Sequence, residues 1–126
     1  MSLDRAALLK PIERKTEKVE LPEFGKGAFV YVAGMNAREK NAHDSALMNR
    51  KFDGLDPVKV KTQKERMVIC CVRDKAGKKV FQPQDVEALG NWPSDTLNRV
   101  FDVANRLSGG GADQNSVKNS YETGDY

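Results

Sequence analysis

The sequence contains few of the residues on which catalysis and metal binding depend. Its 126 residues include one histidine, His43, and two cysteines, the adjacent Cys70 and Cys71. A structural zinc site takes four histidine or cysteine ligands, and a disulfide between neighbouring cysteines is strained. We therefore expect two reduced thiols, one of them in the core, and an exposed His43 in a polar helix. The sequence predicts no enzyme, no metal site and no cofactor.

Long apolar runs are also absent. The two longest runs, 28–33 and 67–72, have six residues each, whereas a transmembrane helix needs about 20. The first residues lack the basic leader and apolar stretch of a signal peptide. The length suits one domain. We therefore expect a single domain that stays in the cytoplasm and makes no membrane contact.

The charge is nearly balanced, with a net value of +3, but it is unevenly placed. The stretch 59–79 has eight basic and two acidic residues, whereas 108–126 has one lysine and three acids. A basic stretch can bind phosphates, but this one lacks the interleaved aromatic residues that stack on bases. We interpret 59–79 as a solvated or protein-docking surface. A nucleic-acid-binding accessory protein remains the alternative.

The first half of the chain predicts two short helices and a hairpin. The apolar stripe within residues 3–9 predicts a short helix that Ser2 could cap. Val19 and Leu21 precede a turn at 22–27, and the β-branched and aromatic run 28–33 follows, which is typical of an antiparallel hairpin. The next helix begins with Asn36 and Glu39, spaced as a capping box, and extends to about Arg50.

The second half is less clear before residue 83. The run 67–72, the turn 74–77 and the segment 79–81 suggest a second hairpin, although a helix over 62–72 is an alternative. Pro83 should begin a short helix that Gly90 ends in a left-handed conformation. The last helix ends before a Gly-rich segment, and we expect its apolar face in the core: Leu97, Val100, Phe101, Ala104 and Leu107.

These elements predict a small α+β domain over residues 1–107, in which short antiparallel hairpins pack on three or four helices. Residues 108–126 contain too few apolar groups to fold and are predicted to be a Gly-rich disordered tail. Trp92 at a corner, Val103 off the apolar face of the last helix, and Phe81 are candidates for partner binding.

The order of these segments resembles the tail assembly chaperones of long-tailed bacteriophages with non-contractile tails. The resemblance covers about residues 3–111 and is strongest over 74–107. Its segments are the Leu-x-x-Ala-x-Leu-Leu start, Val-x-Leu-Pro-Glu-Phe-Gly at 19–25, Phe-Val-Tyr-Val at 29–32, Asp-x-x-Gly-Lys-x-Val-Phe at 74–81, Asp-Val-Glu-Ala-Leu-Gly at 85–90, and Leu-x-x-Val-Phe-Asp-x-Ala-x-Arg-Leu at 97–107.

The resemblance implies a non-enzymatic protein of the host bacterial cytoplasm that is absent from the mature virion. Such a protein binds and solubilises the tape measure protein and helps tail tube subunits polymerise around it. A longer form, made by ribosomal frameshifting near the Gly-rich end, would recruit the tail tube protein. Self-association is expected. A head–tail or tube structural subunit is a further alternative.

Overall fold

The computed structural model describes residues 1–48 and 54–109, and of Val58 only the backbone. The predicted end of the helix near Arg50 and residues 110–126 of the tail predicted at 108–126 lie outside these residues. Short 3₁₀ turns cover Pro22–Phe24 and Pro83–Asp85. The other elements, in chain order, are α1 (Arg5–Leu8), β1 (Thr16–Glu20), β2 (Phe29–Ala33), α2 (Ala37–Ala46), α3 (Pro57–Val60), α4 (Gln63–Cys71), β3 (Val72–Arg73), α5 (Val86–Gly90) and α6 (Ser94–Leu107).

The predicted hairpin of β1 and β2 is confirmed. The strands are antiparallel, with Val19 opposite Val30, and the Leu21 amide extends the ladder by donating to the Ala28 carbonyl over 2.8 Å. Val19, Leu21 and Val32 are buried on the face that packs against the helices. The antiparallel sheet has the order β1-β2-β3, and the described chain is an α+β domain as predicted.

The strand predicted at 67–72 is wrong, because residues 63–71 form helix α4, and the second predicted hairpin is reduced to its turn and a bridge between Arg73 and Lys79. Met67, Val68 and Cys71 lie at helical spacing and are buried in the core, where α4 packs against α6. A six-residue apolar run fits a buried strand and a buried helix equally well, so only tertiary packing decides between them. The helix over 62–72, the alternative, is the better prediction.

The turn predicted at 74–77 does form. The Asp74 carboxylate accepts from the amides of Ala76 and Lys78 at 2.8 and 3.0 Å, and Gly77 has a φ of 86°. The turn follows β3, which pairs with β2 by two residues, and Arg73 then bridges back to Lys79. The chain therefore enters the sheet only briefly after α4.

Helix α2 begins as predicted, but its histidine is buried. Asn36 and Glu39 form the capping box, with side-chain bonds of 2.8 and 3.0 Å to each other's amides. His43 was expected on the surface but is 8% exposed. The physical reason is that α2 has few large apolar residues, so its contact with α4 uses the imidazole as an amphipathic filler.

Two of the predicted helix ends differ in the structure. Asp4, and not Ser2, caps α1 by accepting from the Ala7 amide at 2.9 Å. Gly90 is the last residue of α5 and is not left-handed, and the C-cap residue Asn91 has right-handed angles. Gly109, with a φ of 89°, provides the left-handed residue after α6.

The core is built around α6, α4 and the sheet. Leu97, Val100 and Ala104 of α6 are buried, as predicted, but Phe101 is only half-buried. Thr96 is also buried, so the centre of the buried face of α6 lies close to Val100. At about 100° per residue, Phe101 lies about 90° from that centre on one side and Val103 about 70° on the other.

The end of α6 crosses β2 at very close range. A Cβ at Gly34 would lie 2.3 Å from the Leu107 carbonyl oxygen, so only glycine fits there. The next residue after α6, Ser108, accepts from the Met35 amide at 3.0 Å through its hydroxyl. These contacts fix the end of α6, and with it the direction of the whole helix.

Candidate functional site

Three aromatic side chains meet beside the β1–β2 turn. The Trp92 ring lies 5.2 Å from that of Phe24 and 6.1 Å from that of Phe81, and both pairs are edge-to-face. They line an apolar groove of about 330 Å³. We call it the aromatic groove and define it by its lining residues: Leu21, Phe24, Ala28, Phe29, Val30, Phe81 and Trp92.

The aromatic groove leaves large apolar side chains in contact with water. Phe24 is 59% exposed and Phe29 is 41% exposed, whereas Leu21 beneath them is buried. Val80, next to Phe81, is 51% exposed. Adjacent exposed aromatic residues on a small domain are typical of a surface that binds another protein.

Charged contacts hold the Phe24 side of the groove in place. Glu23 accepts from the Arg99 guanidinium at 2.9 Å and from the buried Thr96 hydroxyl, both on α6. These bonds lower the pKa of Glu23 to about 2. The hydrogen bond from Arg99 is the largest cause, and the hydrogen bond from Thr96 is the second. Because Glu23 precedes Phe24 directly, the network presets the position of this ring.

A lysine contacts the Phe29 ring at the other side of the groove. The Lys18 ammonium lies 4.1 Å from the centre of the Phe29 ring, a cation–π contact, and the Phe29 ring also packs edge-to-face on Tyr31 at 5.3 Å. Such a contact is worth about 0.5–1 kcal/mol at an exposed site. It orients the Phe29 ring and places a cation at the border of the groove.

Two of the three predicted partner-binding residues come together here. Trp92 and Phe81 line the groove, whereas Val103 is half-buried on α6, packs against the core and is not among the residues that line the groove. Phe24 and Phe29 were not predicted. The segment Pro22-Glu23-Phe24-Gly25 offered a signal, since a phenylalanine inside a proline- and glycine-bounded turn has no strand or helix to bury it.

The basic stretch 59–79 is divided between α4 and the turn after β3, and the fold brings its two parts together at one groove, which Arg66 and Lys79 both line. Lys64 donates to Asn98 at 2.7 Å, and Arg73 pairs with Glu39 at 3.0 Å. Part of the positive charge is therefore used within the fold.

Residues 1–48 and 54–109 contain no group of three or more His, Cys, Asp or Glu side chains that could hold a metal ion. Across the same ranges, no helix is long and apolar enough to cross a membrane.

Comparison with known proteins gives a fold relationship. No protein-family model matches the chain, and no curated protein matches it. Among solved structures, that of the bacteriophage HK97 tail assembly chaperone is similar, with a TM-score of 0.53 and 14% sequence identity over 80% of this chain and 91% of that one. The resemblance predicted from the sequence is thus confirmed at the level of the fold: this chain has a tail assembly chaperone-like fold.

Proposed function

We propose that this protein is a non-enzymatic phage tail assembly chaperone that uses the aromatic groove to hold the tape measure protein. The observation that carries the proposal is the exposed aromatic groove on a domain with this fold. A chaperone must cover apolar surface of its client, and the groove is the described surface best suited to do so.

The shape of the groove favours an amphipathic helix as the client. Its volume of about 330 Å³ is at the low end of the ligand-pocket range, which suits one or two large side chains. Helices that bind in grooves insert such anchors at i and i+3 or i+4. The nearby Lys18 would favour a client whose anchors are flanked by acidic residues.

Modest affinity per copy suits this role. A chaperone of this kind must leave when tail tube subunits arrive, so many weak contacts along a long client are more useful than one tight contact. Self-association of neighbouring copies would add avidity. Recruitment of the tail tube protein by a frameshifted longer form, a location in the host cytoplasm and absence from the virion complete the proposal, and they rest on the sequence resemblance.

The aromatic groove also supports this proposal over the alternatives. A nucleic-acid-binding role would use the basic residues of 59–79, and two of them, Lys64 and Arg73, are engaged by Asn98 and Glu39 within the fold. The described residues offer no separate observation in favour of a head–tail or tube subunit. The chaperone role is therefore the one that we propose.

Co-expression with the tape measure protein tests the proposal. Phe24→Ser should leave the chaperone folded, because the ring is 59% exposed, but should reduce the soluble tape measure protein several-fold. Leu55→Ser is the matched control, since Leu55 is equally exposed at 59% and lies outside the groove. Circular dichroism checks folding. Equal solubilisation by Phe24→Ser, Leu55→Ser and the unchanged protein would contradict the proposal.

A further inference from the structure

A second groove lies between α2, α4 and the segment 79–86, and has a volume of about 260 Å³. We call it the Cys70 groove and define it by the four side chains on which the inference depends: His43, Arg66, Cys70 and Lys79. It is distinct from the aromatic groove, with which it shares no lining residue.

The two cysteines of α4 differ sharply in their surroundings. Successive residues on a helix point about 100° apart, so Cys71 is fully buried in the core while half-buried Cys70 lines the groove. A hydrogen bond from the Cys71 thiol is the largest cause of a lowered pKa of Cys70, about 7, and Lys79 and Arg73 act in the same direction. Donation to Cys70 and burial both raise the pKa of Cys71.

The same groove contains an unsatisfied polar group. His43 is 8% exposed, and its Nε2 atom has no hydrogen-bond partner. A buried nitrogen without a partner destabilises the fold, because it has lost its hydrogen bonds to water without replacing them. A molecule bound in the groove could supply the missing partner. Arg66 and Lys79 line the groove as cations, and the acidic lining residue, Glu39, is paired with Arg14 and Arg73 at 2.9 and 3.0 Å, so the balance of charge favours a molecule with negative charge.

We propose that Cys70 is a site of thiol–disulfide exchange with small anionic disulfides, such as oxidised glutathione. The Cys70 thiolate attacks one sulfur of the disulfide; a new S–S bond forms, the old one breaks, and the other half leaves as a thiolate. No further oxidant is required, because the disulfide itself is reduced. Cys71 does not resolve the mixed disulfide, because its pKa is raised and a disulfide between adjacent residues is strained; the mixed disulfide therefore persists until an external thiol removes it.

Thiol kinetics test the proposal. With the dianionic reagent dithiobis(nitrobenzoate), the native chain should show one fast thiol with a pH midpoint near 7, and Cys70→Ser should abolish it. At pH 7 about half of such a thiol is thiolate, against about 3% of an ordinary cysteine. The thiolate fraction is thus about sixteenfold higher than that of an ordinary cysteine. Because a thiolate of lower pKa is less nucleophilic, the expected rate is only about threefold higher than in the unfolded chain.

A charge-matched comparison separates the groove from simple exposure. Lys79→Gln should slow the anionic dithiobis(nitrobenzoate) several-fold and the neutral reagent dithiodipyridine less, because the neutral reagent loses only the thiolate fraction that Lys79 supports. Lys79 is exposed, so this variant should fold. Oxidised glutathione should add one glutathionyl group to the native chain, and peptide mass mapping should assign it to Cys70. The adduct should also shift the His43 imidazole nitrogen signals.

Three results would overturn the proposal. One is a native chain in which no thiol reacts faster than in the unfolded chain. Another is mapping of the adduct to Cys71. The third is an equal effect of Lys79→Gln on the anionic and the neutral reagent.

Discussion

Replacing Gly34 with alanine tests how α6 is fixed to the sheet. The new Cβ would lie 2.3 Å from the Leu107 carbonyl oxygen, whereas ordinary contact begins at about 3.4 Å, so the end of α6 must move by about 1 Å. That movement strains the bond from the Met35 amide to Ser108. Overpacking of this kind costs 1–3 kcal/mol, and a main-chain obstacle places Gly34→Ala at about 2–3 kcal/mol.

The chain supplies its own control at Gly90. A Cβ there meets nothing within 4 Å, so Gly90→Ala should stabilise the protein by about 0.4–1 kcal/mol. Both changes restrict the unfolded chain equally, and their difference therefore isolates the steric effect. Thermal unfolding should show Gly34→Ala melting on the order of 10–20 °C lower and Gly90→Ala slightly higher. A Gly34→Ala protein as stable as the unchanged chain would refute the described docking of α6.

Three further predictions concern α6, His43 and Glu23. Because Phe101 and Val103 flank the buried face, Phe101→Ala and Val103→Ala should each cost about 1–2 kcal/mol in urea unfolding; a cost above about 3 kcal/mol for Phe101→Ala would place its ring in the core. Burial lowers the pKa of His43, so the unfolded chain binds a proton at a higher pH than the folded chain does. Stability should therefore fall as the pH drops below about 6.5; an unchanged urea midpoint between pH 7.5 and 5.5 would contradict this. Glu23 should titrate near pH 2 by NMR, and its contribution to stability should be complete above about pH 4.5 and lost toward pH 2. Arg99→Gln should raise the pH at which Glu23 titrates, and an unchanged titration would exclude Arg99 as the cause.

Local signals in the sequence were sufficient for several elements. The alternation around Val19 and Leu21 predicted the first hairpin, and Asn36 with Glu39 predicted the start of α2. The last helix begins at Ser94 and ends at Leu107, where the apolar spacing and the glycines indicated. Each of these signals lies within one element or its immediate flanks.

The features that the sequence did not predict depend on contacts between distant segments. Whether 67–72 is a strand or a helix depends on packing against α6. His43 is buried because α2 rests on α4, and no local pattern records that contact. The aromatic groove combines Phe24, Phe81 and Trp92 from three separate segments, so the sequence identified two of its residues without indicating that they meet.

The most direct test of the chaperone proposal is the fluorescence of Trp92, the single tryptophan of the chain, which lies in the aromatic groove. A peptide from an amphipathic segment of the tape measure protein would be titrated into the unchanged chain, Phe24→Ser and Leu55→Ser. The proposal predicts a saturable shift of Trp92 emission to shorter wavelength, weakened several-fold by Phe24→Ser and unaffected by Leu55→Ser. Binding that leaves Trp92 emission unchanged and is abolished by moderate salt would contradict it.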